Sequence, residues 1–566
     1  MIFNLDDPVM INEKIYKSTN IKNFFSSIDE IKKWNHWKMN EQLDLFHKEY
    51  GDYQTPIELA ETVCRILKDK YTNPSTIIEP TFGIGNFINA SMNVFDNVKN
   101  IYGLELQEYY FYNFKESLLN KKIDNDIELH VFNDDFFKHK IDKNVFKNEV
   151  LILGNPPWVT VSELSKISSS NLPKKENIKN LSGLEAKLGK SNFDIAEYII
   201  LKLLELLSEH GSGTLAMLCK TQTAKNIVEN SKHSNLKIKS IDMYNFDAKK
   251  EFNISASATL LVVRVDKSIE IPSVTCDVFD LYDPSLSKKR TFGWVGNQFV
   301  SNVFLYNENQ TIDGNIKMTW RSGIKHDASK VFELTKDNEG NYINGYNEIV
   351  NIENDLIFNL IKSSDVGKDY LPNKTRKYII VTQKKTGEDT TYIQRNLPKT
   401  WEYLNKHRIT IDNRKSSIYK GKNQFTIFGV GEYSFAPYKI AISSMYKEPK
   451  FSFLAPMNQK AVMLDDTCNF LSFSNYHDAL ITFLLLNSEK VTRLLNSIVF
   501  IDSKRPYTID ILKRIDLPNL CKIYSFDELK KEWAKYEKFS DFYLNENIYD
   551  EYIKKMTNNE LYYRFY

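Results

Sequence analysis

Four consecutive residues, Asn155-Pro156-Pro157-Trp158, could do chemistry of a narrow kind. Two prolines fix φ and remove two backbone donors, which leaves rigid carbonyl acceptors flanked by a side-chain amide and a large ring. An exocyclic amine conjugated to an aromatic ring is a poor nucleophile because its lone pair is delocalised. Two acceptors, the Asn155 side-chain oxygen and the Pro156 carbonyl, can hold its two hydrogens and favour a more tetrahedral nitrogen. Trp158 can then stack on the ring that carries the amine. Alone, such a tetrapeptide is more often a tight proline turn with a core tryptophan, so the neighbouring loops decide its meaning.

A second group of residues has the makings of a nucleoside pocket. In Glu79-Pro80-Thr81-Phe82-Gly83-Ile84-Gly85-Asn86-Phe87, the two glycines permit a sharp turn and a close ligand approach. The loop is not a dinucleotide fingerprint, since Ile88 stands where the third glycine would be. Glu105, closing Tyr102-Gly103-Leu104-Glu105, can accept both hydroxyls of a ribose. Asp135-Phe136 offers a polar acceptor beside an aromatic, suited to the edge and face of an adenine ring. Each residue alone is more often surface or core; their order is the informative feature.

Those loops need strands to present them. From about residue 46 to 266, short β-rich apolar runs alternate with helical periodicity, the pattern of βα units around a parallel sheet. Strands are expected at Thr76 to Ile78, Ile101 to Leu104, Glu128 to Phe132, Val150 to Leu153, Gly213 to Leu218 and Thr259 to Val265. In open α/β sheets ligands bind at the carboxyl ends of strands, where the loops above lie. Residues 166 to 190, rich in Ser, Asn, Gly and Lys, read as a mobile insertion. Beyond about residue 280 the alternation is lost, and residues around Phe526 to Met556 read as charged amphipathic helices. The chain of 566 residues, 42% hydrophobic, has material for two to four domains. A net charge of +2 means that a polyanion must be met by a local patch.

The order Gln54-Thr55-Pro56, then E-P-x-x-G-x-G-x-F, then Glu105, then D-F, then N-P-P-W resembles the gamma-class AdoMet-dependent N6-adenine DNA methyltransferases of bacterial type II restriction-modification systems. The resemblance implies a Rossmann-like α/β sheet with helices on both faces and a C-terminal α+β target-recognition domain. It implies an N-terminal helical extension over 1–45, an AdoMet-binding catalytic domain over 46–280 and a DNA target-recognition domain over 281–566. Carried onto this sequence, Thr55, Glu79, Gly83, Gly85, Glu105, Asp135 and Phe136 bind S-adenosyl-L-methionine, with Phe193 closing its adenine pocket. Asn155, Pro156, Pro157 and Trp158 are catalytic, and Trp158 and Phe252 pack on a flipped target base. No metal is expected.

Cytosine-C5 methylation needs a thiolate, typically in a Pro-Cys dipeptide, and no cysteine here follows a proline. Asn before Pro-Pro resembles the adenine enzymes, whereas Ser is more usual in the cytosine-N4 group. A base in a duplex must be turned out, so a second domain must hold the DNA. Residues 372 to 450 carry 16 Lys or Arg against 6 Asp or Glu, interleaved with aromatics, and Arg376, Arg414 and Lys415 are candidate DNA contacts. Alternatives are a protein glutamine-N5 or RNA adenine methyltransferase, or a DNA-binding specificity subunit without catalysis. Five scattered cysteines, the absence of a signal pattern and the lack of a long apolar run fit a bacterial cytoplasm with no membrane role. Any restriction nuclease is expected on a separate protein.

Overall fold

The apolar runs of the first half become the inner strands of one sheet. In the computed structural model, which describes residues 2–3, 7–39, 53–159, 194–316, 318–536 and 543–558, an 11-stranded sheet has the order β1-β4-β3-β2-β5-β6-β8-β7-β9-β10-β11. Its strands are β1 (Ile21–Lys22), β2 (Thr76–Glu79), β3 (Asn100–Glu105), β4 (Ile127–Asn133), β5 (Val150–Gly154), β6 (Gly213–Lys220), β7 (Ile238–Asp247), β8 (Ser257–Val265), β9 (Thr275–Asp280), β10 (Arg290–Val295) and β11 (Gln298–Val300). β1 to β6 pair in parallel, and β8 runs against both β6 and β7. Every residue of β2 and β5 is buried, as expected for strands covered on both faces.

The order of these strands decides where a ligand can sit. From β2 the chain moves outward to β3 and β4, then returns to the other side of β2 as β5. Right-handed crossovers that progress in opposite directions place their helices on opposite faces. The reversal between β2 and β5 is a topological switch point, and the crevice at the carboxyl ends of the strands opens there. Helices α1 (Pro8–Thr19), α2 (Ile28–Met39), α3 (Ile57–Lys70), α4 (Asn86–Val94) and α5 (Glu108–Leu119) precede or link these strands. The stretch 166–190, expected to be an insertion, lies outside the described residues.

Two boundaries differ from those read in the sequence. The first compact unit is Met1–Phe299, not a domain ending at 280. The reason is hydrogen bonding: β9 pairs in parallel with β7, aligning Cys276 with Ile241, and β10 pairs antiparallel with β9. The N-terminal segment is likewise part of this unit. β1 pairs with β4, aligning Ile21 with Ile127, and the fully buried Lys115 ammonium on α5 bonds the Phe24 carbonyl and Glu30.

The second unit, Val300–Tyr566, is α+β. It contains a 4-stranded sheet ordered β12-β20-β17-β18 and a 5-stranded sheet ordered β14-β13-β16-β15-β19. These strands are β12 (Arg321–Ser322), β13 (Glu333–Lys336), β14 (Tyr342–Ile343), β15 (Ile357–Ile361), β16 (Lys377–Ile380), β17 (Tyr438–Ser443), β18 (Phe451–Leu454), β19 (Met463–Leu464) and β20 (Cys468–Phe473). Helices Phe526–Trp533 and Glu546–Thr557 occupy the expected C-terminal stretch. Among the described residues, no helix is long and apolar enough to cross a membrane.

Candidate active site

The loop after β2 is shaped by its two glycines. Gly83 and Gly85 have φ of +54° and +77°, a region that side chains with a Cβ rarely adopt. A Cβ on Gly83 would lie 2.4 Å from Gln54 Oε1, and one on Gly85 would lie 2.1 Å from a ring carbon of Phe114 on α5. Alanine at Gly85 would collide with the ring, whereas at Gly83 the end of the Gln54 side chain would have to move; the positive φ strains either substitution. The loop is pinned from both sides: the Gly83 N–H donates to Glu105 Oε2 at 2.7 Å, and the Ile84 N–H donates to Gln54 Oε1 at 3.0 Å. Asn86, which opens α4, donates its side-chain amide to the Thr55 carbonyl at 2.8 Å. The Gln54-Thr55-Pro56 segment is thereby tied to the glycine loop.

Glu105, at the end of β3, is 7% exposed, and its second oxygen accepts the Gln107 N–H at 2.7 Å. A carboxylate fixed by two backbone donors keeps its remaining lone pairs in a set direction. After β4, Asp135 Oδ1 accepts the Phe137 N–H at 2.9 Å and Lys138 approaches Oδ2 at 3.1 Å. Phe136 is 5% exposed, with the Lys202 ammonium 5.1 Å from its ring centre. One cavity is lined by Thr55, Glu79, Gly83, Glu105, Asp135, Phe136, Asn155 and Pro157 together. The sequence pattern leads one to expect these residues to converge, and the ends of β2 to β5 bring them to one place. Phe193 lies outside the described residues.

Three buried polar atoms beside or within this cavity have no hydrogen-bond partner among the described residues: Glu79 Oε2, Thr81 Oγ1 and Asn155 Oδ1. Leaving such groups unpaired is costly, so each calls for a polar partner, from a ligand or from water. Burial pushes the Glu79 carboxyl well above its ordinary value; a hydrogen bond from the Ile88 backbone opposes this, and the charge of Glu105 adds to it. Asn155 is asymmetric. Its nitrogen donates to the Tyr53 carbonyl at 2.8 Å, which turns its unpartnered oxygen into an acceptor held ready.

Trp158 departs from the simplest reading. Its indole N–H donates to the Leu218 carbonyl at 3.3 Å and it is 5% exposed, packed 5.5 Å from Phe252 at 72° and 6.0 Å from Tyr53. Phe252, the last residue of helix Ala248–Phe252, also lies 6.2 Å from Tyr53. The three rings fill one another's space, so a base can stack on Trp158 only after Phe252 or Tyr53 gives way. Lys220 at the end of β6 secures the corner by donating to the Trp158 carbonyl at 2.9 Å and pairing with Asp194 at 3.0 Å. Tyr53 and Lys220 were not singled out by the sequence; Tyr53 directly precedes the Gln54-Thr55-Pro56 segment, the one signal that could have found it.

In the second unit the candidate contacts divide. Arg376 is 66% exposed and paired with Asp365 at 2.6 Å, and Lys415 is exposed. Arg414 is turned inward: it donates to the carbonyls of Ile411 at 2.7 Å, Thr426 at 2.6 Å and His326 at 3.2 Å, while its guanidinium stacks 3.7 Å from the Tyr419 ring. Its Nε and Nη1 donors thus serve as a clamp within its own unit. All five cysteines are buried, and burial pushes the Cys64 and Cys521 thiols up to about 12. Among the described residues, no cluster of three or more His, Cys, Asp or Glu could hold a metal ion.

The chain is 41% identical over 480 residues to Type II methyltransferase M.NspV of Nostoc sp. (strain ATCC 29411 / PCC 7524), an alignment that covers 84% of this chain and 98% of that protein. No family model matches. Among solved structures, the type IIL restriction-modification enzyme MmeI in complex with DNA aligns with a TM-score of 0.48 at 12% identity, over 98% of this chain and 78% of its own. The type IIG restriction endonuclease BpuSI aligns with a TM-score of 0.36 at 13% identity, over 91% and 66%.

Proposed function

The chain belongs to the type II DNA methyltransferases of restriction-modification systems, and on that premise we propose that it methylates the N6 amine of an adenine turned out of double-stranded DNA, with S-adenosyl-L-methionine as donor. The observation that carries this reading is the divided amide of Asn155, a residue that lines the cavity: its nitrogen is fixed on Tyr53 and its buried oxygen has no partner among the described residues. The residues around it fit the donor. Glu79, Thr55 and the Gly83 to Gly85 turn would hold its amino-acid end, Glu105 its ribose, and Asp135 with Phe136 its adenine. When bound, the donor supplies an electrophilic methyl group on a sulfonium.

The chain's own contribution is orientation. Asn155 Oδ1 accepts one hydrogen of the amine, the Pro156 carbonyl accepts the other, and both interactions strengthen as the nitrogen turns tetrahedral and gains positive charge. Methyl transfer to the amine would break the donor's C–S bond, and with Asn155 Oδ1 and the Pro156 carbonyl holding the nitrogen the surplus proton would leave it for water. No thiolate is needed, in keeping with the buried, protonated cysteines. Turning the base out costs a few kcal/mol, and the ring cluster of Tyr53, Trp158 and Phe252 gives it an apolar surface on arrival. The test is methyl transfer from labelled donor to unmodified duplex DNA, followed by nucleoside analysis. N6-methyladenine as the product supports the reading; N4-methylcytosine alone, or label in RNA or protein only, sinks it.

A further inference from the structure

The basic excess between residues 372 and 450 is unevenly available. Arg376 is paired with Asp365, Lys406 with Glu348 at 2.8 Å and Arg408 with Asp412 at 3.2 Å; Lys439 is buried and Arg414 is turned inward. Lys384, Lys385, Lys420 and Lys422 are different. All four are exposed, and among the described residues none forms an ion pair. The nearest acid in sequence, Glu388, has its carboxylate engaged by the backbone N–H groups of Lys384 at 2.6 Å and Lys385 at 3.2 Å. That arrangement closes a turn and leaves the ammonium groups of Lys384 and Lys385 without a direct ion pair.

The two turns that bear these lysines are separated in sequence but fastened side by side. Gln383, 1% exposed, donates to the Glu388 carbonyl at 2.8 Å and accepts the Ile427 N–H at 2.9 Å. The buried hydroxyls of Thr382 and Thr390 donate to the carbonyls of Phe425 and Gln424. Phe425 itself is buried with φ of +61°, a conformation that costs a non-glycine residue energy and persists only where its surroundings enforce it. At the tips, Gly387 and Gly421 have φ of +83° and +69°, and a Cβ on either would meet nothing within 4 Å. Buried polar bonds and a strained residue therefore hold together two open turns: the second carries only lysine charge, Lys420 and Lys422, and in the first Lys384 and Lys385 stand beside Glu388 and Asp389, whose carboxylates are taken up by hydrogen bonds from the turn's own backbone and Thr391.

We infer that these paired turns grip the phosphate backbone of duplex DNA, an inference that rests on the DNA-methyltransferase reading above. Lysine is a compact point charge suited to phosphate, and it lacks the planar fork that reads guanine. The turns therefore position the duplex and do not select its sequence. The test compares the wild-type protein with a variant carrying Lys384→Ala, Lys385→Ala, Lys420→Ala and Lys422→Ala, and with one carrying Lys→Arg at the same positions. Binding of a duplex that contains the methylated site is measured against salt concentration. The alanine variant is expected to lose at least tenfold in affinity at low salt and to flatten the log–log salt slope by about 0.9 for each phosphate that is no longer neutralised. The arginine variant should recover most of both, and AdoMet affinity should hold within about twofold in all three. An unchanged slope in the alanine variant, with wild type still methylating DNA, overturns this surface and spares the enzyme reading. Wild-type protein that fails to bind duplex DNA overturns both.

Discussion

At Asn155 the two ends of one amide do different work, and that division makes its removal informative. With alanine there, the amine loses an acceptor whose value is greatest in the transition state, so turnover should fall about 10²–10³-fold. AdoMet binding should barely change, because the Tyr53 contact belongs to the protein and not to the donor. Single-turnover rates beside calorimetric affinities check this; a parallel loss of both would remove Asn155 from its assigned role. Glu79 supplies a pH prediction. Burial raises its pKa above the ordinary 4.5, and the amino-acid end of the donor, which carries an ammonium, prefers the carboxylate. Affinity should therefore strengthen as pH rises through the raised pKa and level off above it, with proton release on binding. Stability of the free protein runs the other way: Glu79's contribution is complete below its unfolded pKa and is lost as pH climbs through the folded one. Glu79→Gln should flatten both dependences, and titrations in two buffers of different ionisation enthalpy would reveal the released proton. Residue types at strand ends were readable because chemistry restricts what can stand there. The inward contacts of Arg414 were not, since sequence shows its charge but not the three carbonyls that take up its Nε and Nη1 donors.

At the scale of elements, the glycine loop is where backbone geometry and cofactor binding meet. Gly85→Ala must relieve both a φ of +77° and a 2.1 Å approach to Phe114. A cost of about 1–3 kcal/mol in stability is expected from the strained backbone, with a larger loss in AdoMet affinity as the loop shifts off Glu105. Thermal unfolding and AdoMet titration on one preparation would show it; wild-type affinity in this variant would mean that the loop does not shape the pocket. The sheet that carries this loop was largely legible. β2 to β6 and β8 fall within a residue or two of the expected runs: β2, β3, β5, β6 and β8 are buried on both faces and so almost wholly apolar, while β4 alternates buried Ile127, Leu129 and Val131 with more exposed residues. β7 escaped notice although Ile241, Met243 and the residues around them alternate, since Lys239, Asp242 and Asn245 interrupt the run. β1 and β11 are only two and three residues long, and in β9 and β10 Thr275, Asp277, Asp280, Arg290, Thr291 and Gly293 break up the apolar run. The brief strands of the second unit, several only two residues long, leave no period to detect.

At the scale of the whole first unit, a single buried charge links the N-terminal segment to the pocket. Lys115 is fully buried on α5, and burial lowers its pKa from 10.5 against the pull of Glu30 on α2. The rings of Phe24, Phe25 and Phe111 surround the ammonium at 4.6–5.3 Å. Next to Lys115 on α5 stands Phe114, the ring beneath Gly85; Tyr112, on the same helix, packs 5.9 Å from Trp34 and 5.4 Å from Trp37 of α2. The position of α5, and through it the floor of the glycine loop, therefore depends on residues near the N-terminus. Glu30→Ala strands a buried cation and should cost about 3–5 kcal/mol. Pairing it with Lys115→Met removes the stranded charge and should recover much of that loss, as the surrounding aromatics can pack a neutral side chain. Denaturant melts of the two singles and the double give the coupling energy, and AdoMet affinity measured alongside asks whether the clamp reaches the pocket. If Glu30→Ala leaves both stability and affinity intact, the N-terminal segment is an ornament on the sheet and not one of its supports.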